Sequence, residues 1–327
     1  MKEEDIRKRE VFNKYLELVR LDAERLFSDK STFLKVPCPA CGASAGEPVI
    51  VKNGFAYCQC SSCDTLFVNP RPPSDDLKKF YAESPSTRYW VHEFFKPVAE
   101  VRREKIFRPR AEYIASRFPD LRTGIVGDIG AGFGIFLEEI RTLWPECSLV
   151  AIEPSHEMAE ICRRKEIEVI EKPLEEVDGL GTKFDLLTSF ELFEHLHQPR
   201  MFLEKVHGLL KPKGCFFITT LNGLGFDIQI LWKESKSLFP PHHLNFFNPR
   251  SLSKLLESVG FKVVECSTPG QLDWDIVESA LVSEGIDIGR LWRTFSRYGS
   301  AQAKERLQQW IQESDFSSHM RIVAQKR

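Results

Sequence analysis

An apolar run that breaks into Gly127-Asp128-Ile129-Gly130-Ala131-Gly132-Phe133-Gly134 and resumes at once as Ile135-Phe136-Leu137-Glu138-Glu139-Ile140 constrains this chain more than any other stretch. Glycines at 130, 132 and 134 let the backbone pass from strand to helix in a few residues and leave its peptide groups bare to an approaching ligand. A dinucleotide turn of the form G-x-G-x-x-G needs glycine or alanine at 135, where Ile135 stands, and does not include an acidic residue ahead of its first glycine. Glu153 closes the next apolar run, Val150-Ala151-Ile152-Glu153-Pro154, 19 residues after Gly134. A carboxylate at the end of the second strand can accept both hydroxyls of a ribose. The pattern predicts a nucleoside-containing ligand.

From residue 123 onward, short apolar runs alternate with helical segments, which is the pattern of a parallel sheet covered by helices. Strands are expected near 123–129, 148–153, 168–171, 184–189, 214–220, 262–267 and 319–325. Between the last two, residues 269–318 carry Ile276, Leu281, Leu291, Trp292, Leu307, Trp310 and Ile311 at helical spacing. That length is too great for a plain loop and reads as a helical insertion. Upstream, residues 1–30 hold an amphipathic helix with Phe12, Leu16, Val19, Ala23 and Leu26 on one face. Residues 31–73 form a cysteine-rich module closed by Pro70-Arg71-Pro72-Pro73, and residues 74–122 a helical linker rich in aromatics such as Phe80, Tyr81, Tyr89 and Trp90.

Cys38-Pro39-Ala40-Cys41 and Cys60-Ser61-Ser62-Cys63 are two C-x-x-C turns, with 18 residues between Cys41 and Cys60. Such spacing reads as a zinc site in which four thiolates fill a tetrahedron and leave no open position, so the ion would be structural. Cys58 stands apart as a bystander. The first ten residues, MKEEDIRKRE, are charged where a secretion signal would turn apolar, so a cytoplasmic protein is expected. Formal net charge is −2 and no stretch is apolar enough to span a bilayer, which argues against a membrane or nucleic-acid partner. The basic run Arg102-Arg103-Glu104-Lys105, with Arg108 and Arg110, reads as a solvated helix face, or else as a contact for a diphosphate.

The strings GDIGAGFG, AIEPS, FDLLTSFELFEHL (184–196) and LLKPKGCFFITT (209–220) resemble the successive motifs of class I S-adenosylmethionine-dependent methyltransferases over residues 123–327. The resemblance implies an α/β, Rossmann-like seven-stranded sheet whose last strand, near 319–324, is antiparallel. It also implies that Asp128, Gly130, Ala131, Gly132 and Gly134 line the methionine end of S-adenosylmethionine and that Glu153 holds its ribose. Pro154, Leu174 and Glu175 would flank the adenine, and Ser189, Phe190 and Glu191 would lie beside the sulfonium. The string CPACG…YCQCSSCDTLFVNPRP ahead of this core resembles a bacterial group of methyltransferases associated with surface-polysaccharide or modified-sugar pathways. Its carbon-methylating members carry a further large domain for which 327 residues leave no room, so an oxygen of a carbohydrate, free or nucleotide-linked, is the expected acceptor.

Two segments offer a proton acceptor for such a hydroxyl. Glu194-His195 follows the fourth strand, and Pro240-Pro241-His242-His243-Leu244-Asn245-Phe246-Phe247 follows the fifth. A histidine is suited to the task near neutral pH; His243 is the first choice, then His195 and His242, with Glu191 as the remaining candidate. Two other functions share these features. An RNA methyltransferase can also place a zinc knuckle before this fold, although the charge balance opposes it. A non-catalytic cofactor-binding scaffold would need an occluded reactive end.

Overall fold

The computed structural model describes residues 2–327. In chain order, helices α1 (Glu3–Ile6) and α2 (Arg9–Leu26) are followed by β1 (Pro48–Lys52), β2 (Phe55–Gln59) and β3 (Leu66–Val68), then by α3 (Ser74–Glu83) and α4 (Pro85–Tyr89). Next come α5 (Ala99–Arg102), α6 (Arg108–Arg117), β4 (Ile125–Ile129), α7 (Ile135–Leu143), β5 (Ser148–Ile152), α8 (His156–Arg164) and β6 (Glu168–Ile170). They lead to β7 (Phe184–Phe190), α9 (Pro199–Leu209), β8 (Leu210–Leu221), α10 (Phe226–Leu231), β9 (Asn245–Phe246) and α11 (Pro249–Ser258). The chain ends with β10 (Phe261–Ser267), α12 (Asp273–Glu284), α13 (Arg290–Tyr298), α14 (Ala301–Glu313) and β11 (His319–Lys326).

These elements form two compact units: one made of residues up to Val98 with Leu221–Leu252 and Ser267–Met320, the other of Ala99–Thr220, Ser253–Cys266 and Arg321–Arg327. The second holds the α/β sheet, in the order β10-β11-β8-β7-β4-β5-β6. Strand β4 pairs in parallel with β5 on one side and β7 on the other, and β5–β6 and β7–β8 are parallel as well. All seven strands expected from the sequence form. The fifth starts earlier than the apolar run suggests, because Leu210 already pairs with Phe184, and the next pair is Leu186 with Cys215. Residues 211–214, with Pro212 and a left-handed Lys213 (φ 64°), bulge out between them, which hid the strand start.

Burial in this unit follows the strand pattern. Val126, Leu149, Ala151, Leu186 and Phe217 meet Phe136, Leu137, Ile140 and Trp144 from α7, and Ala111 and Ile114 of α6 close the other side of the same core. The helix α7 forms where it does because Ile135, Phe136, Leu137, Glu139 and Ile140 are buried, while Glu138 and Arg141 are half-buried and Thr142 and Leu143 exposed.

In the first unit, β1, β2, β3 and β9 make a four-stranded sheet. The pairings β1–β2, β2–β3 and β3–β9 are all antiparallel. Its core contains Tyr57, Leu66, Val68, Phe80, Leu238, Leu244 and Phe246. The first helix of the sequence reading is two helices, broken at Arg7 (φ −151°), and Phe12, Tyr15 and Val19 of α2 pack with Phe94 and Phe239. Residues 75–118 are helical, with wider π-type turns at Trp90–Phe95 and Arg103–Phe107. The insertion before β11 is helical too: α12 and α14 bury Trp274, Val277, Ala280 and Ile311 with Phe226 and Leu231 of α10. No helix among the described residues is long and apolar enough to cross a membrane.

Phe217 is fully buried and its ring lies 5.9 Å from that of Phe190 and 6.0 Å from that of Tyr113. Replacing it by alanine leaves a cavity that the two flanking strands prevent from collapsing. Urea unfolding of Phe217→Ala should show a loss of about 3–5 kcal/mol.

Candidate functional site

The turn after β4 has the conformation its glycines were expected to serve. Gly130, Gly132 and Gly134 all have left-handed backbones, with φ of 72°, 55° and 67°, a region costly for residues with a Cβ. Gly134 is the N-cap of α7, and no side chain caps that helix start, so its first amide groups are available to a ligand. A Cβ added at Gly132 would meet nothing within 4 Å, which leaves the backbone open there; one at Gly130 would lie 3.3 Å from Leu192 Cδ2.

The pairing of β4 with its two neighbours brings the remaining groups to the same end of the sheet. Asp128 is opposite Ala151 on one side and Thr188 on the other. The Thr188 hydroxyl donates to Asp128 Oδ1 at 2.7 Å. Burial pushes the Asp128 carboxyl up to about 7, with the charge of Glu153 acting in the same direction. One residue beyond β5, Glu153 is itself buried, and its two oxygens accept from the amides of Gly132 (2.8 Å) and Ser155 (2.9 Å). Its carboxylate is thereby fixed beside the glycine turn. Burial raises its pKa, opposed by those two amide bonds. Pro154 is exposed, Leu174 is buried and Glu175 is exposed on the short turn that follows β6.

At the end of β7, Ser189 is fully buried and its hydroxyl has no hydrogen-bond partner. Phe190 stacks edge-on against Phe136, with centroids 4.6 Å apart. Glu191 has a left-handed backbone (φ 51°); its amide donates to the Thr219 carbonyl at 2.9 Å, and its Oε1 accepts from Arg110 Nη2 and Thr219 Oγ1, both at 2.8 Å. The Arg110 guanidinium also lies over the Phe190 ring, 5.0 Å from its centroid. Glu194 is buried and takes a 2.6 Å bond from the Thr220 hydroxyl; burial, and then the charge of Glu191, push its carboxyl up to about 8. A carboxylate oxygen of Glu194 and a ring nitrogen of half-buried His195 lie within 4.8 Å of each other.

The sequence profile of the methyltransferase domain family matches residues 99–266, just over half of the chain. The chain belongs to the methyltransferase domain family. Among relatives, the ubiquinone biosynthesis O-methyltransferase of Xanthomonas euvesicatoria is 26% identical over 171 residues, covering 48% of this chain and 70% of that protein. The enzyme of the same description from Xanthomonas campestris is 25% identical over 173 residues, with the same two coverages. The fold is shared with the 1,6-didemethyltoxoflavin-N1-methyltransferase of Burkholderia thailandensis, solved with S-adenosylhomocysteine, at a TM-score of 0.50 and 15% identity over 86% of this chain and 99% of that one. In this methyltransferase the open Gly132 backbone, the fixed Glu153 carboxylate and the partnerless Ser189 hydroxyl fit a ligand rich in hydroxyl and amino groups.

The first unit contains the other candidate residues. The sulfurs of Cys38 and Cys63 are 3.5 Å apart, those of Cys41 and Cys60 3.6 Å, and those of Cys63 and Cys41 3.6 Å. A tetrahedral zinc with bonds of about 2.3 Å needs sulfurs about 3.8 Å apart, so the donor set fits. Each C-x-x-C turn reverses on a left-handed residue just past its second cysteine, Gly42 (φ 76°) and Asp64 (φ 57°), and closes with amide bonds to the Cys38 and Cys60 carbonyls. The Cys58 sulfur faces the Asn69 carbonyl at 3.7 Å instead.

The histidine segment is bound to this module. Its β9 pairs with β3 (Leu66 with Phe246, Phe67 with Asn245), and the Val68 amide donates to the Leu244 carbonyl at 2.9 Å. Tyr57 donates to the His243 carbonyl at 2.6 Å, buried Arg71 to Asn245 Oδ1 at 3.0 Å, and Asn248 Nδ2 to the Cys63 carbonyl at 2.8 Å. The Nδ1 of His243 is 2.7 Å from the Ser237 carbonyl. A carbonyl can only accept, so Nδ1 carries a proton, and in the neutral ring the lone pair is on Nε2. His242 is packed among the rings of Phe80 (4.8 Å), Tyr81 (5.3 Å), Tyr15 (5.7 Å) and Phe239 (5.7 Å).

Thr188, Thr219 and Thr220 belong to the site although the sequence did not single them out. Their usable signal is position, since each lies within the last three residues of β7 or β8. In the basic run, Arg103 bonds Glu138 and Glu139 of α7, at 2.7 and 2.9 Å, and Arg110 bonds Glu191, so these two arginines belong to an ion network within the fold, while Lys105 and Arg108 lie exposed, as a solvated face requires.

Asp128 gives the ligand-free protein a pH signature. Its folded carboxyl, at about 7, keeps a proton that the unfolded chain loses near 3.8, so the folded state binds more protons between those values. Stability from this group is lost as pH rises through that window, and Glu194, at about 8, acts in the same sense. The melting temperature should fall between about pH 5 and about pH 8, and Asp128→Asn should flatten that decline; an unchanged slope would contradict the assignment.

Proposed function

We propose that this protein transfers the methyl group of S-adenosylmethionine to a hydroxyl of a small molecule, foremost a sugar or nucleotide-linked sugar, with His243 accepting the hydroxyl proton. The observation that carries the proton role is the 2.7 Å approach of His243 Nδ1 to the Ser237 carbonyl, which fixes the tautomer whose Nε2 can act as a base. Oxygen as the methylated atom is supported by relatives described as O-methyltransferases. The formal net charge of −2 supports a small acceptor over RNA.

When bound, S-adenosylmethionine supplies an electrophilic methyl group on a positively charged sulfur. The chain then has three tasks. Glu153, held by two amides, takes the ribose hydroxyls; the glycine turn and Asp128 take the methionine portion; and Pro154, Leu174 and Glu175 border the adenine. Ser189, Phe190 and Glu191 border the sulfur. Alignment of acceptor oxygen, methyl carbon and sulfur supplies most of the rate, and removal of the hydroxyl proton by His243 supplies the rest. His195, with the buried Glu194 beside it, is the second choice as base. His242, enclosed by aromatic rings, serves packing.

The four thiolates of Cys38, Cys41, Cys60 and Cys63 would hold one zinc ion whose part is structural, since four sulfurs leave no position for substrate. Through β3, Tyr57, Arg71 and Asn248 the same module supports the segment that bears His243. Elemental analysis should therefore find one zinc per chain, lost in Cys60→Ser and retained in Cys58→Ser; the reverse pattern would refute this ligand set.

The acceptor can be identified by supplying an extract with methyl-labelled cofactor and searching by mass spectrometry for carbohydrates that gain one methyl. With that acceptor, His243→Gln should lower single-turnover rates by roughly 10²–10⁴-fold while cofactor affinity stays near that of the wild type. A loss confined to His195→Gln would move the role to His195, and wild-type rates in both variants would remove histidine from the mechanism.

A further inference from the structure

Arg110 and Glu191 form a charge pair with no counterpart in the sequence reading. It lies at the sheet edge where the charged half of the cofactor must go. Glu153 stands at the end of β5, so a nucleoside bound there extends from β5 over the glycine turn of β4. The rest of the molecule has only the other flank of β4, which is β7. Glu191 lies one residue past the end of β7, and its neighbour Leu192 packs 3.3 Å from where a Cβ of Gly130 would be. The carboxylate is held by two side chains and its backbone by a third bond. Arg110 and Thr219 both bond Oε1, and the left-handed backbone of Glu191 is tied to the Thr219 carbonyl. A left-handed glutamate costs free energy that the surroundings must offset, which marks the position as one where orientation matters.

S-adenosylmethionine and its product differ at one atom, where a positive sulfonium becomes a neutral thioether. Charges near that atom therefore bind one form better than the other, while groups around the adenine and ribose treat both alike. We propose that the Arg110–Glu191 pair sets how strongly this protein prefers the charged cofactor over its neutral product: Glu191 attracts the sulfonium, and Arg110 both aims the carboxylate and tempers its charge, which limits that preference. The inference rests on the cofactor site placed above. Arg110 is a positioning residue here. The rest of its surroundings fit that part, since its side chain is only 16% exposed and lies against Phe190, which leaves it little freedom to swing into solvent.

Calorimetry of the purified protein with S-adenosylmethionine and with S-adenosylhomocysteine tests this without knowledge of the acceptor. In Glu191→Gln the carboxylate is gone while the positive charge of Arg110 stays, so affinity for the charged form should fall about tenfold relative to the product. In Arg110→Met the stem still covers Phe190 but the carboxylate is no longer tempered, so the ratio should move the other way, by about threefold or more. Arg110→Lys, which keeps the charge, should stay near the wild-type ratio. Opposite shifts cannot arise from a merely structural role, which would weaken both ligands together. Equal losses for the two ligands in both variants, or ratios that do not move, overturn the proposal. If Arg110→Met does not fold, the ratio in Glu191→Gln decides alone, and an unchanged value overturns it. Wild-type protein that binds neither ligand would instead refute the cofactor site itself, and this inference with it.

Discussion

Strand β4 is the constraint on which the catalytic unit depends. Because it is central and pairs in parallel on both sides, its C-terminal end, that of β5 and that of β7 open on one edge of the sheet. The three left-handed glycines then turn the chain into α7 without covering that edge. Asp128, Glu153, Ser189 and Glu191 come from three strands separated by up to 63 residues of sequence, yet the strand register brings them together with no further device. Register is strictly specified here, since a slip of one residue would turn buried Val126 and Leu186 to the opposite face of the sheet.

Carboxyl groups near this edge are held in ways that favour different protonation states. Asp128 and Glu194 are buried, each bonded by one threonine hydroxyl, and burial pushes both upward. Glu191, a third exposed at its side chain, is bonded by a guanidinium. Burying acids to which no cation is bonded is costly to stability, and folds tolerate the cost where a ligand later supplies partners or charge. Arg110 is the cation whose charge reaches all three of these carboxyls, favouring ionisation of Asp128 and Glu194 while bonding Glu191 directly.

In the other unit, the cysteine module does more than order itself. Its third strand pairs with β9, and Tyr57, Arg71 and Asn248 connect it to the segment from His243 to Asn248. Two residues of regular strand could not hold a histidine loop alone, because so short a pairing does not offset the entropy of ordering the chain around it. A zinc ion on the four cysteines would stiffen the module and, through these bonds, the segment that bears the candidate base.

The sequence determined the elements themselves. The seven strands, the glycine turn, the two C-x-x-C turns and the helical insertion all rest on local signals: apolar periodicity, glycines where a left-handed backbone is needed, and paired thiols at fixed spacing. Asp128 and Glu153 were legible for the same reason, since each marks the end of a strand. The start of β8 at Leu210 was not, because its register with Phe184 is a property of two strands and not of one. Neither was the bonding of Arg110 to Glu191, 81 residues on, nor the tautomer of His243, which depends on the Ser237 carbonyl. Local propensity decides which segment becomes a strand or a turn; which charges and hydrogen-bond donors then face each other depends on contacts between residues far apart in the chain, and those exist only once it has folded.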